Sequence, residues 1–173
     1  MIATETAVEP PWPARDSGAG WEALATAAVE AALAATPHAD IAAAAFLAEV
    51  SVRFTSDEEV RILNRDYRHK DKPTNVLSFP MVQPDLLEGL NAGDEGETLL
   101  GDIVLAHGVC AAEAADKQVA IEAHASHLIV HGLLHLLGYD HEQGAAEAEH
   151  MEELERAALA TLGIDDPYPI VEA

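Results

Sequence analysis

The chain has a single cysteine, Cys110, in 173 residues, so no internal disulfide can form. No run of about 18 apolar residues is present, so no membrane-spanning helix is expected. There is no internal repeat, which argues against a solenoid. Basic residues are scarce: 9 lysines and arginines stand against 31 aspartates and glutamates, a formal net charge of −22. Such a chain repels polyanions at long range, so non-specific binding to long nucleic acid is expected to be weak and no DNA partner is expected. The first residues, MIATETAVEPPWP, have neither the basic nor the apolar region of a secretory signal. These features together lead us to expect a cytoplasmic protein.

What is present is a globular composition. Nearly half of the residues are apolar, and the length suits one domain with a genuine core. Residues 2–8 read as an edge strand, and residues 9–20, rich in proline and glycine, as a loop. An alanine-rich helix is expected over 21–35, a strand within 44–54, and a helix from Ser56 to about 66. Ser56 is placed as its N-cap, with Glu59 completing a capping box. Residues 75–79 and 102–106 read as strands on either side of an acidic loop over 82–98. Further helices are expected over 108–117, 121–137 and 145–162. The second of these is apolar on several faces, which marks a buried helix. The expected fold is therefore α+β: one domain over 1–173 in which a small mixed β-sheet packs against a central buried helix, with the remaining helices around it.

That central helix carries the chemistry. Residues 131–141 read HGLLHLLGYDH. His131 and His135 are four residues apart, so on a helix they leave from one face, roughly 6 Å apart along the axis. Gly138 can take the left-handed conformation that ends a helix, letting the chain turn back and bring His141 to the same point. His127 shares the face but lies about 12 Å of helix rise from His135, too far for both to bind one ion. His127 and His124 are thus read as pocket-lining or packed residues. Three imidazoles suit one Zn2+ per chain and leave a fourth position open, as catalytic zinc sites do. Cys110 as a fourth ligand would close the site, but a lone cysteine in an alanine-rich segment is more often a small buried hydrophobe.

The spacing is that of the metzincin peptidases, H-E-x-x-H-x-x-G-x-x-H, except that Gly132 stands where those enzymes carry glutamate. A metzincin-like zinc site is expected, therefore, without the base that peptide hydrolysis uses. A phosphodiester poses a different problem, because a cation and a guanidinium can together stabilise the charge of its transition state. Six of the nine basic residues lie between Arg53 and Lys72: Arg53, Arg61, Arg65, Arg68, Lys70 and Lys72. Five acidic residues are interleaved with them, and screening over about 8 Å lets a local basic cleft act within an acidic chain.

Three segments, YRHKDKPTNVLSFP at 67–80, LGDIVLA at 100–106 and the histidine motif, are similar to those of the YbeY family of bacterial endoribonucleases and ribosomal RNA maturation factors. The resemblance runs from about residue 52 to LGIDDPYP at 162–169. It implies that His131, His135 and His141 are zinc ligands and that Arg68 is the phosphate-facing catalytic residue. It also implies cleavage of single-stranded RNA, a part in maturing the 3′ end of small-subunit ribosomal RNA and in ribosome quality control, and contact with the small ribosomal subunit or its proteins. The implied fold is the same α+β arrangement.

Other polar residues admit two readings. Asp102 is a strand-edge turn residue or an anchor that orients a site group. Thr74, Asn75 and Ser78 bond a phosphate or satisfy a turn after Pro73. Asp140 orients a ligating histidine or caps the following segment. Three functions follow: a zinc-dependent endoribonuclease, a metallohydrolase acting on peptides or small molecules, or a non-catalytic ribosome assembly factor stabilised by zinc.

Overall fold

A computed structural model describes residues 1–13, 20–44, 46–82, 96–139 and 144–168. In chain order the elements are β1 (Ile2–Val8), α1 (Gly20–Ala34), a short 3-10 turn (Ala39–Ala43), β2 (Leu47–Thr55), α2 (Asp57–Arg68), β3 (Val76–Pro80), β4 (Glu97–Ala106), α3 (His107–Lys117), α4 (Ile121–Leu136) and α5 (Ala145–Thr161). The four strands form one sheet in the order β1-β2-β4-β3. β1 pairs parallel with β2 and β2 parallel with β4, while β3 pairs antiparallel with β4. The sheet is thus mixed, and residues 2–8 form an edge, both as expected.

Alternation along β2 and β4 sends two different sets of side chains to the two faces. On the inner face Val50, Val52, Phe54, Ile103 and Leu105 join Ile129, Leu133 and Leu134 of α4 and Val29 and Leu33 of α1 in the main core. On the outer face a smaller cluster, Val60, Leu77, Val104 and Ala106, forms beneath α2. α4 is buried over most of its circumference, which explains its apolar sequence. Its C-terminus is closed by Gly138 at φ +99°, with the Tyr139 amide donating to the Leu134 carbonyl at 3.0 Å. This is the glycine turn anticipated from the sequence.

Two boundaries differ from expectation. β4 begins at Glu97 rather than at residue 102, because Gly101 is a bulge residue within the strand and not a turn before it. Pairing with β2 slips between Glu49 and Val50, leaving Leu100 opposite no partner, and Gly101 beside it takes φ +152°, a backbone that favours the glycine often found at bulges. A Cβ at Gly101 would collide with the Phe79 carbonyl oxygen and lie 2.6 Å from a Leu136 methyl, so sheet and helix meet here at close quarters. Second, α2 extends to Arg68 before His69 ends it in the left-handed region. Ser56 caps it by accepting from the Glu59 amide at 3.2 Å. Glu59 itself turns to Arg53, 3.4 Å away, so the reciprocal half of the capping box does not form. The expected loops fall partly at 14–19 and 83–95, outside the described residues.

Candidate metal centre and active site

His131 and His135 leave α4 from one face and converge. Their Nε2 atoms are 3.0 Å apart and their rings are nearly perpendicular, with centroids 4.5 Å apart. Two nitrogens bound to one tetrahedral zinc at about 2.0–2.1 Å would be separated by about 3.3 Å, so this pair is close to the spacing that the ion needs. His141 and Asp140 lie outside the described residues. No group of three metal-binding side chains occurs among the described residues, so a metzincin-like site is not shown; of the three expected ligands the described residues include His131 and His135.

The other nitrogen of His131 is already committed. Its Nδ1–H donates to Glu155 Oε1 at 2.6 Å, which fixes the tautomer and leaves the Nε2 lone pair facing His135. Glu155 projects from α5 and is 1% exposed. Burial pushes its carboxyl up, but interactions with His127, His131 and Tyr168 outweigh this and hold it down at about 2. It is therefore a carboxylate at neutral pH. Tyr168 stays protonated, because burial and then the adjacent Glu155 raise its phenol pKa, and its oxygen lies 3.1 Å from His127 Nε2. His127 is 3.7 Å from Glu155, beyond hydrogen-bond distance.

Sequence reasoning overlooked Glu155 and gave Tyr168 no role, although a signal existed for the first. Met151, Glu155, Ala158 and Leu159 form the buried stripe of α5, and a carboxylate in such a stripe calls for a buried partner. His127 and His124 are packed, in line with expectation. His124, 3% exposed, faces Glu113 Oε1 at 2.8 Å, and burial lowers its pKa. Asn75 completes this cluster, donating to Glu113 at 3.0 Å and accepting from the Val76 amide at 2.7 Å. Its side chain is consumed in holding the start of β3, the turn-satisfying alternative. Cys110 is buried and donates its thiol to the Asn75 carbonyl, and burial pushes its pKa up to about 12, so it behaves as a packed thiol.

Gly132 explains the missing glutamate. A Cβ at this position would lie 3.0 Å from Ile103 Cγ2 and 3.2 Å from two further Ile103 atoms. The residue after the first histidine therefore faces the sheet at close quarters, where any side chain requires Ile103 to give way.

The basic segment is largely neutralised by its own acids. Arg53 pairs with Glu9 and Glu59, Arg61 with Glu58 and Asp71, and Arg65 with Asp66. Arg156 pairs with Asp166. Among the described arginines, Arg68 alone has no carboxylate partner, and it is exposed at the end of α2. The neighbouring Tyr67 ring packs edge-on against Phe79 at 5.5 Å, while Leu136, next to His135, abuts Gly101 and the Phe79 carbonyl. The ends of α2 and α4 thus reach the same end of β3 from opposite faces of the sheet.

Comparison with known proteins shows the family. A family model described as Endoribonuclease YbeY matches residues 16–163. A protein of that name from Rhizorhabdus wittichii is 63% identical over 172 residues, 99% of each chain. A second, from Sphingopyxis alaskensis, is 58% identical over 97% of this chain and 98% of its own. A third, from Novosphingobium aromaticivorans, is 51% identical over 96% of this chain and 95% of its own. The solution structure of a Thermotoga maritima protein superposes on 98% of this chain and 100% of its own with a TM-score of 0.52 at 21% identity, a likeness of fold alone.

Proposed function

The chain belongs to the YbeY family of endoribonucleases, enzymes that hydrolyse RNA phosphodiester bonds, and from this premise we propose a zinc-dependent endoribonuclease that cuts single-stranded RNA in the cytoplasm. Its substrate in this reading is ribosomal RNA at the 3′ end of the small-subunit species, met on or near the small ribosomal subunit. The observation that carries the metal dependence is the convergence of the His131 and His135 Nε2 atoms with the Glu155 carboxylate bound behind His131.

His131, His135 and His141 would hold the ion, which when bound supplies Lewis-acid polarisation of a phosphate oxygen. The rest falls to this chain's own groups. Glu155 keeps His131 in the tautomer that offers Nε2, and His127, His131 and Tyr168 around it keep Glu155 ionised. Arg68, free of carboxylates and solvent-accessible, can place its planar fork on two phosphate oxygens as charge builds on them. Removing such a contact typically slows turnover by about 10²–10³-fold. The peptidase alternative finds no support at Gly132, which carries no base and where even a Cβ would press on Ile103 at 3.0 Å.

The test compares wild type with His131→Ala and Arg68→Ala for bound zinc and for cleavage of a single-stranded RNA. His131→Ala is expected to lose both metal and cutting, and Arg68→Ala to keep the metal while cutting about 10²–10³-fold more slowly. Full cleavage by Arg68→Ala would overturn the role of the guanidinium. Ribosome maturation supported by folded, metal-free protein would replace the nuclease with an assembly factor.

A further inference from the structure

We propose that the cleft on the outer face of the sheet, beside the end of α2, is a nucleobase subsite that selects guanine. It rests on the endoribonuclease reading and adds to it a base specificity. The cleft encloses about 600 Å3 and is lined by Arg53, Leu63, Tyr67, Phe79, Met81 and Asp102 among others. That volume is within the range of about 300–1,000 Å3 typical of small-ligand sites.

Two features define the ligand. The first is an aromatic wall: Tyr67 packs edge-on against Phe79 yet is 69% exposed, and Met81 beside it is 61% exposed. Large apolar groups left this open on a chain with few aromatics offer a stacking platform, which is how single-stranded RNA is gripped. The second is a carboxylate. Asp102 projects from β4 on the same face as Phe79, its register partner on β3. Asp102 is half-buried and its side chain has no hydrogen-bond or ion-pair partner among the described residues. Arg53, the cation lining the cleft, is already held by Glu9 and Glu59. Asp102 is thus neither a turn residue nor an anchor for the histidines, and its acceptor capacity is unspent.

A flat ring beside an uncompensated carboxylate must present N–H donors. Guanine carries N1–H and the N2 amine side by side, which a carboxylate accepts together in a two-pronged contact. Adenine and cytosine set one amine beside an acceptor nitrogen, and uracil sets one N–H between two carbonyls that a carboxylate repels. Guanine alone satisfies both oxygens. Its phosphate then falls near Arg68, adjacent in the chain to Tyr67 and solvent-exposed at the same helix end.

The test measures binding of metal-free protein to three fluorescent single-stranded RNAs: oligouridine, the same strand with one central guanosine, and the same strand with inosine there, which lacks the N2 amine. Wild type is expected to bind the guanosine strand about tenfold tighter than the inosine strand, the effect of one charge-assisted hydrogen bond. Asp102→Ala is expected to bind the two alike. Tyr67→Ala, a change at an exposed position, is expected to weaken all three strands about tenfold, and Tyr67→Phe to restore them. Equal binding of the three strands by wild type, a guanosine preference that survives Asp102→Ala, or no binding of any strand overturns the subsite. Because these measurements need neither zinc nor turnover, a preference without cleavage by the loaded enzyme sinks the nuclease and leaves the subsite, while cleavage without preference does the reverse.

Discussion

Glu155 shows how much of the candidate centre depends on one buried atom pair. Replacing it by glutamine removes the charge that stabilises His131 as a donor to its carboxylate, and zinc affinity is expected to fall about 10–100-fold, read by competition with a chromophoric chelator. The same residue leaves a signature in acid. Its folded-state pKa is depressed from 4.5 to about 2, so its stabilisation is complete above pH 4.5 and is lost as the pH falls through 2. In metal-free protein this amounts to about 3 kcal/mol. Glu155→Gln should lack that part of the pH dependence when chemical denaturation is followed between pH 5 and pH 2 (about the window set by the two pKa values). An unchanged acid limb would show that Glu155 is not ionised in the folded protein.

At the scale of the elements, the sheet–helix contact at Gly101 fixes how α4 is presented. Gly101→Ala is expected to cost about 3 kcal/mol or more in urea unfolding, since the left-handed backbone and the clash with the Phe79 carbonyl act together. Gly132→Ala is expected to cost less, because Ile103 can shift and alanine gains helix propensity of about 1 kcal/mol. Gly101 also shows where reading the sequence stops. The helices and the mixed sheet were legible, as periodicity and capping are local properties, and so was the pairing of His131 with His135, which a helical repeat imposes. The first half of β4 was not, because a glycine bulge and a turn look alike until the partner strand is known. Glu155 escaped for a related reason: it draws its role from a surface brought near by the fold, His131 lying 24 residues away.

For the whole molecule, charge is the dominant fact. A net −22 surrounds a basic segment whose arginines, Arg68 excepted, are mostly paired with its own carboxylates. RNA binding should therefore release few counterions. The slope of log affinity against log salt is expected to be shallower than about −2, what Arg68, Lys70 and Lys72 would give together at about −0.7 per phosphate on single strands. Titrations across ionic strength check this, and a steep slope would reveal a basic surface beyond these residues. No helix among the described residues is long and apolar enough to cross a membrane. Within this acidic shell the seating of α4 on Ile103 has a bearing on descent. Giving the site a peptidase's base would take a glutamate at position 132, and the first carbon of that side chain would already press on Ile103 at 3.0 Å. A base at that position would therefore call for a compensating change at Ile103, and the two chemistries stand apart by the spacing of a helix and a sheet.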